Sequence, residues 1–416
     1  MFRKLMTFEE AQQTIQSHFK LPALGVEEAV LLEAYNRVLA EDIVSTLDIP
    51  PFSRSTVDGY AVKAQDTFGA DENQPATLKV SGAVSVGEQP LVKVNEGEAV
   101  EIVTGAPIPD GADAVVMFED TEREDDELRV YSGVTANENV MKRGSDIKKG
   151  ETVLKKGQLM GSSEIGVLAA LGLTKVKVSR IPMVAVLSTG GEVTEPGKPL
   201  PPGKIYDINA YSISTAVTES GGKPVYFGVV ADDKAALSKA LNTALASADM
   251  VITSGGVSVG PRDYTPQIVD SLGKPGIVVY GVAVKPGKPT TVGFVGDKPV
   301  FSLPGHPTSA LLIFYLLARP LIQQLAGRPV SPMKTVKAAA GARMFSAKGR
   351  RTFVMVRLMF DTSCRLIAEP VESGASGAIT TLAKADGFVE IPENQQFVDA
   401  DEEVLVSIFR NAPGKA

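Results

Sequence analysis

Two short segments concentrate residues whose types and spacing suit binding to an anion. Ser254-Gly255-Gly256-Val257-Ser258-Val259-Gly260 sets three glycines among two serines. Backbone N–H groups at such glycines can turn toward an anion, and the hydroxyls of Ser254 and Ser258 add donors. The same run also fits a tight strand–helix connection. Asp263, three residues past Gly260, could hold a metal ion, orient an amine or cap a helix. In Lys285-Pro286-Gly287-Lys288-Pro289 two lysines three apart flank a Pro-Gly turn, which suits a small dianion or phosphate. Pro289 and the preceding glycine spacing rule out a Walker A loop, and a hairpin turn with exposed lysines fits as well.

Two loops carry similar signals at equivalent places: Ser188-Thr189-Gly190-Gly191-Glu192 and Leu303-Pro304-Gly305-His306-Pro307. In the N-terminal half, Asp48 to Ala61 reads as a rigid loop in which Asp58 precedes Gly59. Thr104-Gly105-Ala106-Pro107, followed by Pro109 to Asp113, forms a second such loop. By spacing alone both also fit ordinary turns. His18 and His306 lie far apart, and Cys364 is the single cysteine, so neither a disulfide framework nor a Cys/His zinc motif can be built. His306 stands at a helix start, where a hydrogen bond suits it better than metal ligation.

These loops need a scaffold. Thr7 and Glu10 predict a capping box for a helix over 8–18, and a second helix is expected over 27–39. From Ser55 to about Met141 short β-like runs (76–80, 99–103, 114–118) alternate with Gly, Pro and Asn, which predicts a mostly β domain. Its acidic stretch 119–127 reads as a solvated turn or hairpin edge. From Pro182 strands and helices alternate: strands at 183–187, 225–229, 250–253, 277–284, 290–294 and 300–303. Helices are expected over 209–219, capped by Asn209, over 234–247, capped by Asp233, near 264–272 and over 308–325. That alternation predicts a parallel-rich sheet covered by helices, with ligands beyond the carboxyl ends of its strands, where the three loops fall. Beyond Gly327 strands at 335–340, 353–360, 366–370 and 403–409 predict a C-terminal β domain.

With 416 residues, several domains are expected. The formal net charge of −7 argues against a nucleic-acid binder and makes a local lysine pair more informative. The N-terminus lacks a signal-peptide apolar run, and no stretch reads as a membrane span, so the expected location is the cytoplasm.

Together these segments resemble the MoeA family, the molybdopterin molybdenumtransferases, which are related to the E domain of gephyrin. The resemblance is carried by DIPPFSRSTVDGYAV (48–62), TGAPIPDGADAVV (104–116), RGSDIKKGE (143–151), STGGEV (188–193), ITSGGVSVGPRDYT (252–265), VKPGKPT (284–290) and LPGHPTSA (303–310), in the family's order. It implies a multidomain α/β and β fold. Residues 1–26 plus 180–328 would form the molybdopterin-binding α/β domain, and 27–48 plus 143–179 a linking domain. An inserted β domain would span 49–142 and a C-terminal β domain 329–416. It also implies a homodimer whose cleft lies between the molybdopterin-binding domain of one subunit and the inserted domain of the other.

The implied reaction is magnesium-dependent insertion of molybdate, or the similar tungstate, into adenylylated molybdopterin with release of AMP. The thiolates that take the metal belong to the substrate. Asp58, Thr104, Glu192, Asp263, Lys285 and Lys288 would be catalytic, with Asp58, Glu192 and Asp263 on magnesium and the lysines on molybdate. Ser188, Thr189, Gly190, Asp232, Ser254, Gly255, Gly256, Ser258, Gly260, Pro304, Gly305, Pro307 and Ser309 would hold the pterin substrate, while Arg350 and Ser376 match positions near the oxyanion. The sequence departs from the family pattern at Gly191, Gly281, His306 and Thr352. The resemblance also leaves room for a molybdopterin adenylyltransferase and for a gephyrin-like scaffold. Molybdopterin adenylyltransferase and molybdoenzyme acceptors are the implied protein partners, with neither nucleic acid nor membrane.

Overall fold

The structure is a computed structural model that describes residues 5–255, 264–371 and 379–409. Its chain divides into two compact units, residues 29–35 with 39–176, and residues 1–28 with 36–38 and 177–416.

The first unit is built on a six-stranded sheet in the order Ala114–Met117, Gly59–Val62, Glu98–Ile102, Ala76–Val84, Glu127–Val130, Thr121–Glu124. Period-2 alternation explains its two buried faces. Tyr60, Val62, Leu78, Val116 and Leu128 pack on one side. Ala61, Val84, Val100, Ile102 and Val115 pack on the other. The acidic stretch is the hairpin Thr121–Glu124 and Glu127–Val130, turned at Asp125 with φ 53°. Short antiparallel pairs, Ile43–Val44 with Thr152–Leu154 and Arg54–Ser55 with Val140–Met141, complete the unit alongside a helix at Ser162–Ala170.

The second helix expected over 27–39 does not form. Val26–Val30 is a strand, and Leu31–Ala34 is one tight 3₁₀ turn ended by Asn36 in the left-handed region. Two β-branched valines and the lack of a capping side chain before Leu31 favour the extended chain over a helix.

The second unit holds a mixed six-stranded sheet: Lys223–Val230, Met183–Thr189, Met250–Ser254, Lys298–Leu303, Thr291–Val295, Pro275–Tyr280. The first four run parallel, and Thr291–Val295 pairs antiparallel with both Lys298–Leu303 and Pro275–Tyr280. Phe8–His18, capped by the Thr7/Glu10 box, shares one face with Asn209–Glu219 and the helical run 307–325. Lys234–Ser247, capped by Asp233, and Thr265–Leu272 cover the other face. The sequence predicts one helix over 308–325, but the run 307–325 is divided. It forms Pro307–Ile313 and Arg319–Leu325 joined by a π turn at Phe314–Ala318. Among the described residues this run alone is long and apolar enough to cross a membrane, and 61% of it is buried in the core of the unit.

The C-terminal part of this unit is a closed ring of five strands: Arg351–Phe360, Leu366–Pro370, Thr335–Ala340, Glu403–Ile408 and Gly387–Ile391, the last pairing back to the first. Its interior is filled by Val356, Leu358, Ala368, Val389, Ile391 and Val406. Closure leaves no free edge within the ring. The strand Gly387–Ile391, unmarked in the sequence by any strong alternation, is what closes it.

Candidate functional site

The described parts of the three phosphate-type loops meet at the carboxyl ends of Met183–Thr189, Met250–Ser254 and Lys298–Leu303. The parallel register pairs Ser188 with Ser254 and Ser254 with Leu303, so the loops begin level with one another. Two side chains just ahead of Asn209–Glu219 and at its first residue then tie them together. Asp207, 4% exposed, accepts from Ser188 Oγ at 2.9 Å, from the Ala210 backbone N–H at 3.1 Å and from the Tyr226 hydroxyl at 3.2 Å. Asn209 donates from Nδ2 to Ser254 Oγ and to the Gly305 carbonyl, both at 2.7 Å. Ser254 Oγ faces the Pro304 carbonyl at 3.5 Å, and the Gly255 N–H donates to the Leu303 carbonyl at 3.2 Å.

Asn209 was expected to cap its helix. Instead the helix starts at Asn209, and Asp207 accepts from its first turn, which leaves the amide to bridge two loops. Asp207 and Tyr226 were not singled out from sequence. The pattern Asp207-Ile208-Asn209 directly before a helix was the available signal, but it reads equally as a cap. Because a carboxylate only accepts, Ser188 must spend its proton on Asp207 and faces any ligand with lone pairs. Burial, with the Asp207 charge beside it, pushes the Tyr226 hydroxyl above its ordinary range.

The site is tight. Gly255 has φ 88°, and a Cβ there would sit 2.2 Å from the Thr189 carbonyl oxygen, so only glycine fits. Thr189 Oγ1, Asn209 Oδ1 and Thr253 Oγ1 are buried without a hydrogen-bond partner among the described residues. Unpaired buried polar atoms are costly, and they cluster where a polar ligand would be useful. Gly256, Ser258, Gly260, Asp263 and Ser376 lie outside the described residues. Asp232 is exposed in the turn before Lys234–Ser247, away from the bonds just described. Pro304 and Ser309 are buried, and Pro307 is the first residue of its helix. His306 occupies the N-cap position without a side-chain capping bond.

The lysine turn sits beside the barrel. Val284 and Lys285 pair in parallel with Arg351 and Thr352, which brings exposed Lys285 to the strand preceded by Arg350. The turn is braced by Thr290 Oγ1 donating to the Gly287 carbonyl at 2.6 Å, and the Lys288 carbonyl accepts from Val282. Thr352, at a position that departs from the family pattern, accepts from the Ala347 N–H through Oγ1 at 2.9 Å and so anchors the loop bearing Arg350.

In the other unit, Asp58 and Thr104 come together as their loops converge. Thr104 donates to Asp58 Oδ1 from its N–H at 2.6 Å and from its hydroxyl at 2.8 Å, and these bonds hold the carboxyl below its ordinary range. Gly59 is required beside it, since a Cβ would lie 1.8 Å from the Val116 carbonyl oxygen.

A magnesium centre is not assembled by this chain's described residues. No group of three or more His, Cys, Asp or Glu converges among them. Glu192 makes no side-chain hydrogen bond there, and Asp58 belongs to the other unit. The described residues therefore do not fit magnesium by themselves.

Comparison with known proteins places this architecture. Residues 6–172 match the MoeA N-terminal region (domain I and II), 185–324 the family described as a probable molybdopterin binding domain, and 337–409 the MoeA C-terminal region (domain IV). The chain is 35% identical over 396 residues to the molybdopterin molybdenumtransferase of a Nostoc species, covering 93% of this chain and 90% of that protein. This chain belongs to the MoeA family. It is 34% identical over 412 residues to the Haemophilus influenzae molybdopterin molybdenumtransferase, with 99% and 100% coverage. A molybdopterin biosynthesis MoeA protein of Pyrococcus horikoshii superposes with a TM-score of 0.83 at 44% identity, covering 98% of this chain and all of that one. The MoeA-type multidomain fold, with N-terminal domains, a molybdopterin-binding α/β domain and a barrel-like C-terminal domain, is thus established.

Proposed function

We propose that this MoeA-family chain is a molybdopterin molybdenumtransferase that inserts molybdate into adenylylated molybdopterin and releases AMP during molybdenum cofactor biosynthesis. The observation that carries the reading is the Asn209 bridge between Ser254 and Gly305. It braces two phosphate-type loops against each other at the strand ends, beside buried polar atoms without partners. Curated relatives that align along almost the whole chain carry the transferase name.

In this reading the residues bind and orient. The glycine loop that follows Ser254 supplies backbone donors to the pterin phosphate, and Ser188, fixed as an acceptor by Asp207, takes a ligand N–H. Lys285 and Lys288 hold the oxyanion, helped by Arg350 on the adjoining strand. The substrate's dithiolate receives the metal, so no protein thiol is needed. Magnesium would draw on Glu192 and Asp263 with an Asp58 from a second copy. The proposed assembly is a homodimer in the cytoplasm, with the Asp58–Thr104 loops of one copy completing the cleft of the other.

The test is purified protein with adenylylated molybdopterin, molybdate and magnesium. AMP and metal-loaded pterin should appear in equal amounts. Adenylylated pterin as the sole product from molybdopterin and ATP would overturn the reading in favour of an adenylyltransferase.

A further inference from the structure

A cavity of about 480 Å³ opens between the end of the helix Asn209–Glu219, the π turn Phe314–Ala318 and the end of the last barrel strand. None of the ligand loops lines it. π turns interrupt helices at a cost in regular hydrogen bonding and recur at functional sites. This one places Tyr315 and Arg319 in the cavity wall. The Tyr315 ring lies 5.3 Å from that of Phe409, tilted by 37°, which makes an aromatic wall. The Tyr315 hydroxyl donates to Glu219 Oε2 at 2.7 Å, and among the described residues Glu219 Oε1 accepts no hydrogen bond.

Arg319 is half-buried and forms no ion pair among the described residues. Burial disfavours its charge, which Tyr315 and Glu219 only partly restore. Lys334 and the hydroxyl-bearing Ser331 line the same cavity. A guanidinium compensated only in part in a half-buried wall is costly unless an anion completes it. The volume is several times that of an inorganic oxyanion and lies in the range of small-molecule sites. An aromatic wall, a cationic pair and a carboxylate oxygen left open describe three parts of one ligand: a flat ring, an anionic group and a hydroxyl-bearing linker.

We propose that this cavity is a second binding site, separate from the pterin loops, for a nucleoside monophosphate. The base packs on Tyr315 and Phe409, the phosphate meets Arg319 and Lys334, and a ribose hydroxyl donates to Glu219. Occupancy ties the end of the helix Asn209–Glu219, whose other end carries Asn209, to the barrel.

The chain contains no tryptophan, so Phe409→Trp places the protein's single tryptophan, excited selectively at wavelengths tyrosine does not absorb, in the cavity wall. Met333→Trp provides an independent reporter should the first disturb packing. Each reporter is titrated with AMP, adenosine and inorganic phosphate. AMP should change the emission saturably, and adenosine and phosphate only at much higher concentration. Adding Arg319→Met should weaken AMP at least about tenfold, as loss of a charge-assisted contact predicts. Adding Lys285→Ala should leave the titration unchanged, which separates this site from the proposed active site. Silence of both reporters at millimolar AMP, equal potency of inorganic phosphate, or indifference to Arg319→Met would each overturn the proposal.

Discussion

Asn209 Nδ2 lies 2.7 Å from Ser254 Oγ, and the same amide reaches the Gly305 carbonyl at equal distance. One side chain thereby fixes the spacing of two ligand loops that are 50 residues apart in sequence. Asn209→Ala removes two hydrogen bonds at once and leaves buried Ser254 Oγ with only the 3.5 Å contact to the Pro304 carbonyl, which should cost about 1–3 kcal/mol of stability. Chemical denaturation measures that cost. Binding of adenylylated molybdopterin should weaken further than the stability loss explains. Unchanged affinity in a folded Asn209→Ala protein would show that the brace has no bearing on the ligand.

Gly255→Ala tests the close approach of the glycine loop to Thr189. The added methyl would have to displace a backbone carbonyl in a positive-φ conformation, a strain of about 1–3 kcal/mol. Reduced thermal stability together with lost pterin binding is the expected pair of results. Gly191→Ala, with open space around its Cβ position, is the control and should be near neutral.

Lys285→Ala removes an exposed charge from a turn whose backbone is held by other residues. Thermal stability should therefore hold, while the molybdate concentration needed for half-maximal AMP release rises at least about tenfold. Arg350→Ala should act in the same direction. A fall in stability with unchanged molybdate dependence would assign the turn a structural role.

The Asp58 carboxyl is held below its ordinary range by Thr104. A lowered folded-state pKa means that this bond's contribution is present above the unfolded value of about 3.9 and is lost as pH falls through the folded value. Thr104→Val removes the hydroxyl donor but keeps the N–H, so the Asp58 titration, followed by carboxyl carbon-13 NMR, should move upward only part of the way. A titration that stays in place would show that the hydroxyl does not stabilise the charged form.

If the cleft is shared in a homodimer, Asp58→Asn and Lys285→Ala proteins should complement each other. Random reassortment gives heterodimers with one intact cleft, restoring about a quarter of wild-type activity. A mixture no more active than its parts, with subunit exchange demonstrated, would place both residues in one chain's site or in none.

Local sequence rules determined a good deal of this protein. The capping box at Thr7 and Glu10 and the Asp233 cap placed their helices to the residue, because caps act over one turn, whereas the alternating run expected over 76–80 extends to Val84. Glycine, lysine and proline loops marked the candidate site, since their backbone requirements are written in residue type. The same rules misjudged 27–39, where extended pairing prevailed over a helical pattern, and could not foresee the π turn at Phe314–Ala318.

Only tertiary structure decided which polar residues work together. Asn209 reads as a cap, Tyr226 lies within an expected strand and Asp207 carries no mark, and their roles appear once parallel register sets Ser188 level with Ser254. Arg350 and Lys285 become neighbours only because Val284–Lys285 joins the barrel strand Arg351–Phe360. Hydrogen-bond partners are chosen by distance in space, whereas propensity and capping are properties of neighbours along the chain. The sequence could therefore name the loops, and the fold alone could join them.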